Sequence, residues 1–259
     1  PLGKRLVLER GQFALAFANH DGAAALAAVE PLLAEPRLTS LERFELEEDR
    51  ALALIDLGRF DEADRALAAL EPVVAAEFGV EHPLTLSVAG NRASVLYHRG
   101  EFAACRAAQA RQLASVERVF GAEHVRVATA LEALASCENK SGKSAEALAH
   151  FERAVAILRT ARGPAHPRTL SAMSDLAGAY SHLNQHGRAL EINQELLAIR
   201  ERTLGAEHVD VAVTLVNLAI EAKNTGQLEL ALASHQRALA IFERALGKGH
   251  PNVAIALIN

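Results

Sequence analysis

The sequence predicts an all-α solenoid of antiparallel helix pairs. Three observations carry this: an Ala- and Leu-rich composition, a 42-residue step that brings back one histidine, and glycines at helix-stop positions in that same register. Half of the 259 residues are hydrophobic, yet aromatics make up 4 % and Trp is absent. Runs of Val, Ile and Thr are scarce, so helices are favoured over sheets. The formal net charge of −5 is mild and both signs are interspersed. No basic field marks a nucleic-acid surface. No uncharged apolar run reaches membrane-spanning length and no secretory pattern opens the chain. A cytoplasmic protein with neither nucleic acid nor membrane as partner is expected. Cys105 and Cys137 are too few to staple a structure and are expected as reduced, buried thiols. Pro1-Leu2-Gly3 is given no structural weight.

The repeat is read from its punctuation. His82, His124, His166, His208 and His250 stand 42 residues apart, each three residues after a glycine (Gly79, Gly121, Gly163, Gly205, Gly247). Ala51, Ala93, Ala135, Ala177 and Ala219 keep the same step. So do Gly58, Gly100, Gly142, Asn184 and Gly226, and so do Ala63, Cys105, Ala147, Ala189 and Ala231. Gly, and less often Asn, closes a helix in the left-handed conformation. Each repeat therefore holds two helices and two stops. The histidines read as residues of the loop and helix start, with Pro83, Pro167 and Pro251 suited to a first turn.

In chain order, residues 1–38 are expected as an irregular, cap-like helix pair, with Asn19-His20-Asp21-Gly22 as its turn. Thr39-Ser40-Leu41-Glu42 reads as a capping box opening the next helix. Five regular pairs follow at 39–79, 80–121, 122–163, 164–205 and 206–247, within 39–249, and 250–259 begins a truncated further repeat. Pro31 and Pro72 are expected to bend the second helices that hold them. Apolar stripes such as Leu131, Leu134 and Ala135, or Met173, Leu176, Ala177 and Tyr180, are core. The small residues at Ala93 and Cys105 mark where paired helices touch. Asn259 aligns with Asn217 in mid-helix, so the chain is expected to be a fragment of a larger protein.

These positions resemble the tetratricopeptide repeat: a small residue midway in the first helix, a glycine at its end, an Ala early in the second. Ala93, Gly100 and Cys105 hold those places, as do Ala135, Gly142 and Ala147. The common repeat is shorter. The 42-residue step with Gly-x-x-His-Pro resembles the kinesin light chain subtype, which is also widespread in bacterial multidomain proteins. Leu204-Gly205-Ala206-Glu207-His208-Val209 and Leu246-Gly247-Lys248-Gly249-His250-Pro251 match best, and the resemblance covers about residues 40–259. It implies a right-handed superhelix whose first helices line a concave groove. Arg50 and Arg92 depart from the pattern, standing where later repeats have Leu134, Leu176 and Leu218, so the first regular repeat is expected to pack differently.

Counting from the buried Ala, the resemblance assigns groove positions to Asn91, Ser94, Tyr97 and His98; to Glu132, Ser136, Asn139 and Lys140; to Asp175, Ser181 and His182; and to Val213, Val216, Asn217, Ile220, Lys223 and Asn224. Asn side chains satisfy a peptide's donors and acceptors in pairs. Ser94, Gly90 and Gly178 leave room for it, and Tyr97 is the aromatic candidate for an anchor. Val213, Val216 and Ile220 read as exposed aliphatics that a ligand or another chain segment covers. The acidic run Glu45, Glu47, Glu48, Asp49 and Asp56 reads as a solvated face or a partner patch. No phosphate loop, nucleophile motif, zinc-type His pair or Cys-x-x-Cys occurs, so neither an enzyme nor a cofactor or metal site is expected. The function expected is a scaffold holding a protein or peptide partner, as a regulatory or docking part of a larger signalling protein. The alternative is self-association through the open repeat end.

Overall fold

The computed structural model describes residues 2–247, Pro251 and Val253. Twelve helices and no strand occur among the described residues, and these fall into two compact units divided between Ala122 and Glu123. Unit 1 holds α1 (Leu2–Ala18), α2 (Gly22–Leu33), α3 (Ser40–Asp56), α4 (Phe60–Phe78), α5 (Pro83–His98) and α6 (Phe102–Phe120). Unit 2 holds α7 (Val125–Lys140), α8 (Ser144–Arg162), α9 (Pro167–His182), α10 (His186–Leu204), α11 (Val209–Asn224) and α12 (Leu228–Leu246). Within each unit every helix packs on its sequence neighbours. His250 and Asn259, with the rest of the expected truncated repeat apart from Pro251 and Val253, lie outside the described residues.

Helix starts follow from local chemistry. Thr39 and Glu42 form the capping box, Thr39 Oγ1 accepting from the Glu42 N–H and the Glu42 carboxylate from the Thr39 N–H at 2.9 Å. Each of His82, His124, His166 and His208 is an N-cap in extended conformation whose side chain accepts from the backbone N–H two residues on. For His166 the distance from Arg168 N to Nδ1 is 3.1 Å. An accepting Nδ1 places the ring proton on Nε2. The repeating histidine thus takes the place usually held by Ser or Asp.

Helix ends follow from backbone freedom. Gly142 closes α7 at φ 78°, and Asn184 takes the same place after α9 at φ 57°. Asn tolerates the left-handed region better than other side chains. Pro31 and Pro72 lie inside α2 and α4; α2 ends two residues later, while α4 runs on to Phe78. Leu2 and Gly3, given no structural weight from sequence, lie within α1.

The small-residue columns are the seams. Ala51, Ala93, Ala135, Ala177 and Ala219 are all buried, as are Ala63, Cys105, Ala147, Ala189 and Ala231. Around them unit 1 packs Leu54, Leu67, Leu70, Val74 and Val88, and in unit 2 Ala219 and Ala231 pack with Leu190, Leu218 and Ala222. One expectation is corrected: Cys105 and Cys137 are both disulfide-bonded, not reduced thiols. No described helix is long and apolar enough to cross a membrane.

The His166 cap yields a test. His166→Ala should lower unfolding free energy by about 1 kcal/mol, and His166→Asn should recover most of it. Urea denaturation followed by circular dichroism measures both.

Candidate partner-binding site

In unit 1 the first helices are α1, α3 and α5. Glu48 of α3 is buried and accepts from the Ser87 hydroxyl and from Asn91 Nδ2 at 2.7 Å, both on α5. The Asn91 amide is therefore engaged within the unit. Burial raises the Glu48 carboxyl above its ordinary range against the Ser87 hydrogen bond, and the charges of Asp49 and Glu45 add to it. Burial likewise pushes Asp49 to about 6, although Arg10 Nε of α1 stands 3.5 Å from it. Arg10 Nη1 also reaches Glu45 at 2.5 Å. The acidic run is thus not a solvated face: its central members are packed between α1 and α5.

Ser94 is half-buried and His98 exposed. Tyr97 is half-buried and meets the Phe102 ring edge-on at 5.7 Å, while His98 stacks on Phe60 at 5.0 Å. Both rings brace the helix ends, so Tyr97 is not a free anchor. Gly90 leaves no room for a ligand either: a Cβ there would stand 2.8 Å from Gln112 Nε2, whose amide fills the space.

In unit 2 the first helices are α7, α9 and α11. Glu132 is buried, and one of its oxygens accepts from Arg168 of α9, which also donates to the Thr129 hydroxyl at 3.3 Å. The other carboxylate oxygen is buried without a hydrogen-bond partner. Burial pushes Glu132 to about 7, outweighing the Arg168 charge, and the Asp175 charge acts in the same direction as burial. Ser136 donates to the Glu132 carbonyl at 2.8 Å, so its hydroxyl serves its own helix. Asn139 is half-buried with an unpartnered Oδ1, and Lys140 is exposed.

Asp175, His182, Asn217 and Lys223 are exposed and Ser181 half-buried. Asn224 is exposed, with its amide 3.4 Å from His186 Nδ1. The expected aliphatic trio is corrected. Val213 is exposed, Ile220 is half-buried, and Val216 is buried in the core with Phe242. Position 216 turns inward because it shares the Glu48 and Glu132 register, whose side chains are also buried. Around Gly178 there is open space: an added Cβ would meet nothing within 4 Å.

Sequence reasoning placed Glu48 only in an acidic run, not in a buried contact, and missed Ser87, Arg168 and Arg200. Arg200 of α10 donates to Thr214 Oγ1 at 2.6 Å and to Ser174 Oγ at 3.4 Å, tying α11 to α9. One signal was available: Glu48 and Glu132 stand 84 residues apart, two repeats, in a column otherwise held by Gly90, Ser174 and Val216. Nothing local marks the arginines.

The geometry defines a class: a helix-hairpin repeat whose first helices carry polar and small side chains beside a closed seam. The tetratricopeptide repeat family matches residues 84–160, 127–202 and 210–259, more than half of the chain. The chain belongs to that family, one of protein-interaction scaffolds. No curated protein matches its sequence. Among solved structures, the kinesin light chain nearly identical TPR-like repeats of Podosopora anserina superpose with TM-score 0.72 at 24 % identity, covering 79 % of this chain and 97 % of that one. BtubC (BKLC) from P. vanneervenii gives TM-score 0.70 at 21 % identity, with 96 % and 93 % covered. A Rap protein complexed with Competence and Sporulation Factor gives 0.65 at 13 % identity, with 93 % and 75 % covered. These likenesses show the fold.

Glu132 sets a pH test. Its folded-state pKa lies above the ordinary 4.5, near 7, so the folded state holds the proton more tightly than the unfolded one. Stability is then highest below the ordinary value and falls as pH rises through the window from 4.5 to about 7. Glu132→Gln removes this term. It should be more stable than the parent at pH 8, by roughly 1–3 kcal/mol, and the gap should close toward pH 5. Thermal melts of both proteins across that range measure it.

Proposed function

We propose that the protein is a non-catalytic scaffold that holds an extended peptide or a helix of a partner against its first helices, as the docking part of a larger regulatory protein. Unit 2 offers the better face. Asp175 on α9 and Asn217 on α11 share one register of the repeat. Both are exposed, and neither makes a side-chain hydrogen bond or ion pair among the described residues. These two side chains, without a hydrogen-bond partner although burial and the Arg168 charge both act on the Asp175 carboxyl, are the observation that carries the reading.

The surroundings suit a backbone. Asn217 supplies both a donor and an acceptor, and Asp175 accepts, which complements the alternating groups of an extended chain. The open space at Gly178 admits the chain close to α9. Val213, 39 % exposed, gives an apolar contact beside Asn217. In unit 1 the equivalent Asn91 is already bonded to Glu48, so less of its capacity is left for a ligand. The Rap structure holds a bound factor on a similar fold, which supports a peptide ligand as a class and nothing finer.

Peptides selected on the immobilised chain from a random display library test the reading. Asp175→Ala with Asn217→Ala should weaken the selected peptides by about tenfold or more and leave the melting temperature unchanged. Unchanged affinity in that variant, or crosslinks mapping only to the second helices, would overturn it.

A further inference from the structure

Unit 2 repeats the buried carboxylate of unit 1 with one change. In unit 1 a single oxygen of Glu48, Oε1, accepts from both the Ser87 hydroxyl and Asn91 Nδ2, the latter at 2.7 Å. At the equivalent places two repeats on, each 84 residues away, stand Glu132, Ser171 and Asp175. An amide in one repeat is a carboxylate in the other. An ionised carboxylate accepts hydrogen bonds and donates none, so Asp175 cannot do for Glu132 what Asn91 does for Glu48. The Glu132 side chain is 9 % exposed, and its Oε1 is buried with no hydrogen-bond partner, Ser171 included.

Arg168 answers only part of this. It donates to the other carboxylate oxygen of Glu132, and its charge also acts on Asp175. One guanidinium thus stands against two carboxylates that act on each other as like charges. The other Lys and Arg of the unit 2 first helices are Arg126, Lys140 and Lys223. They stand six to eight residues along their helices from Glu132 or from the Asp175 register, about 9–12 Å at 1.5 Å per residue. Arg200 of α10 is engaged by the Thr214 and Ser174 hydroxyls.

The pair therefore lacks one positive charge and the donors that come with it, and a buried carboxylate without them costs stability. Asp175 is the exposed member, one helical turn from the open space at Gly178. A cation arriving from outside meets Asp175 first, with Glu132 behind it. Two carboxylates make a poor metal cage, and no group of three or more His, Cys, Asp or Glu that could hold an ion occurs among the described residues. Lys and Arg carry both the charge and several N–H donors. We propose that the partner segment held against this face carries a lysine or an arginine, whose cationic head lies against Asp175 with the Glu132 carboxylate behind it. The proposal rests on the first-helix face being the partner-binding face, and it names the chemistry that face selects.

Peptides selected on the immobilised parent from a random display library at pH 8, where Glu132 is mostly ionised, test it. A Lys or Arg should recur at one position of the selected peptides. Replacing that residue by Gln should weaken binding to the parent at least about tenfold, and binding to Asp175→Asn by less than about twofold. Asp175→Asn copies the Asn91 arrangement, so it should melt no lower than the parent. Glu132→Gln should shrink the preference for the basic residue without removing it. Selected peptides that Asp175→Ala with Asn217→Ala weakens, but that share no basic residue, would overturn this proposal and leave the peptide-binding reading standing. So would a basic residue whose replacement weakens binding to Asp175→Asn as much as to the parent. Peptides indifferent to Asp175→Ala with Asn217→Ala would overturn both.

Discussion

The structure depends on one contact made again and again: a small residue midway along a first helix against a small residue early in the second. Interiors are close-packed, so a methyl group at each side lets two backbones approach where larger side chains would hold them apart. The helix stops then fix where each chain reversal falls. With the seam and the stops both on a 42-residue step, every repeat presents the same face of its first helix. A register of exposed positions follows from the buried one, which is why a partner face can be counted off from Ala177 or Ala219.

That dependence explains what was legible. Seam, stops and caps are local or strictly periodic, so Ala135, Asn184 and His166 announced themselves in the sequence. Arg92 announced a departure, and its ion pairs with Asp64 and Glu71 of α4 are its counterpart in space. The site was read less well. Asn91 and Asn217 are equivalent in the repeat, yet one is bonded to Glu48 and the other is free, because Glu48 has no equivalent beside Asn217 but Ser174. Tyr97 looked like an anchor since no sequence pattern says that Phe102 would cover it. The oxidised state of Cys105 and Cys137 was hidden because their number and local sequence do not say whether the two are bonded.

Buried carboxylates add a second theme. Glu48 and Glu132 occupy one column, and each is tied to the following first helix, one by Ser87 and Asn91 and the other by Arg168. In both, desolvation outweighs the partner, so the acid form is favoured beyond the usual range. Such groups are poor sources of stability. Their place is better understood as fixing how neighbouring first helices line up, which is the property a partner face needs.

The seam can be tested by itself in the middle of unit 2. Ala177 is buried and Ser171, on the same helix, is exposed. Ala177→Leu is predicted to lower the unfolding free energy by about 1–3 kcal/mol through overpacking, while Ser171→Leu leaves it within error. Equal urea midpoints for the parent and Ala177→Leu would show that the paired helices do not close on that residue, and would contradict the small-residue seam as the basis of the fold.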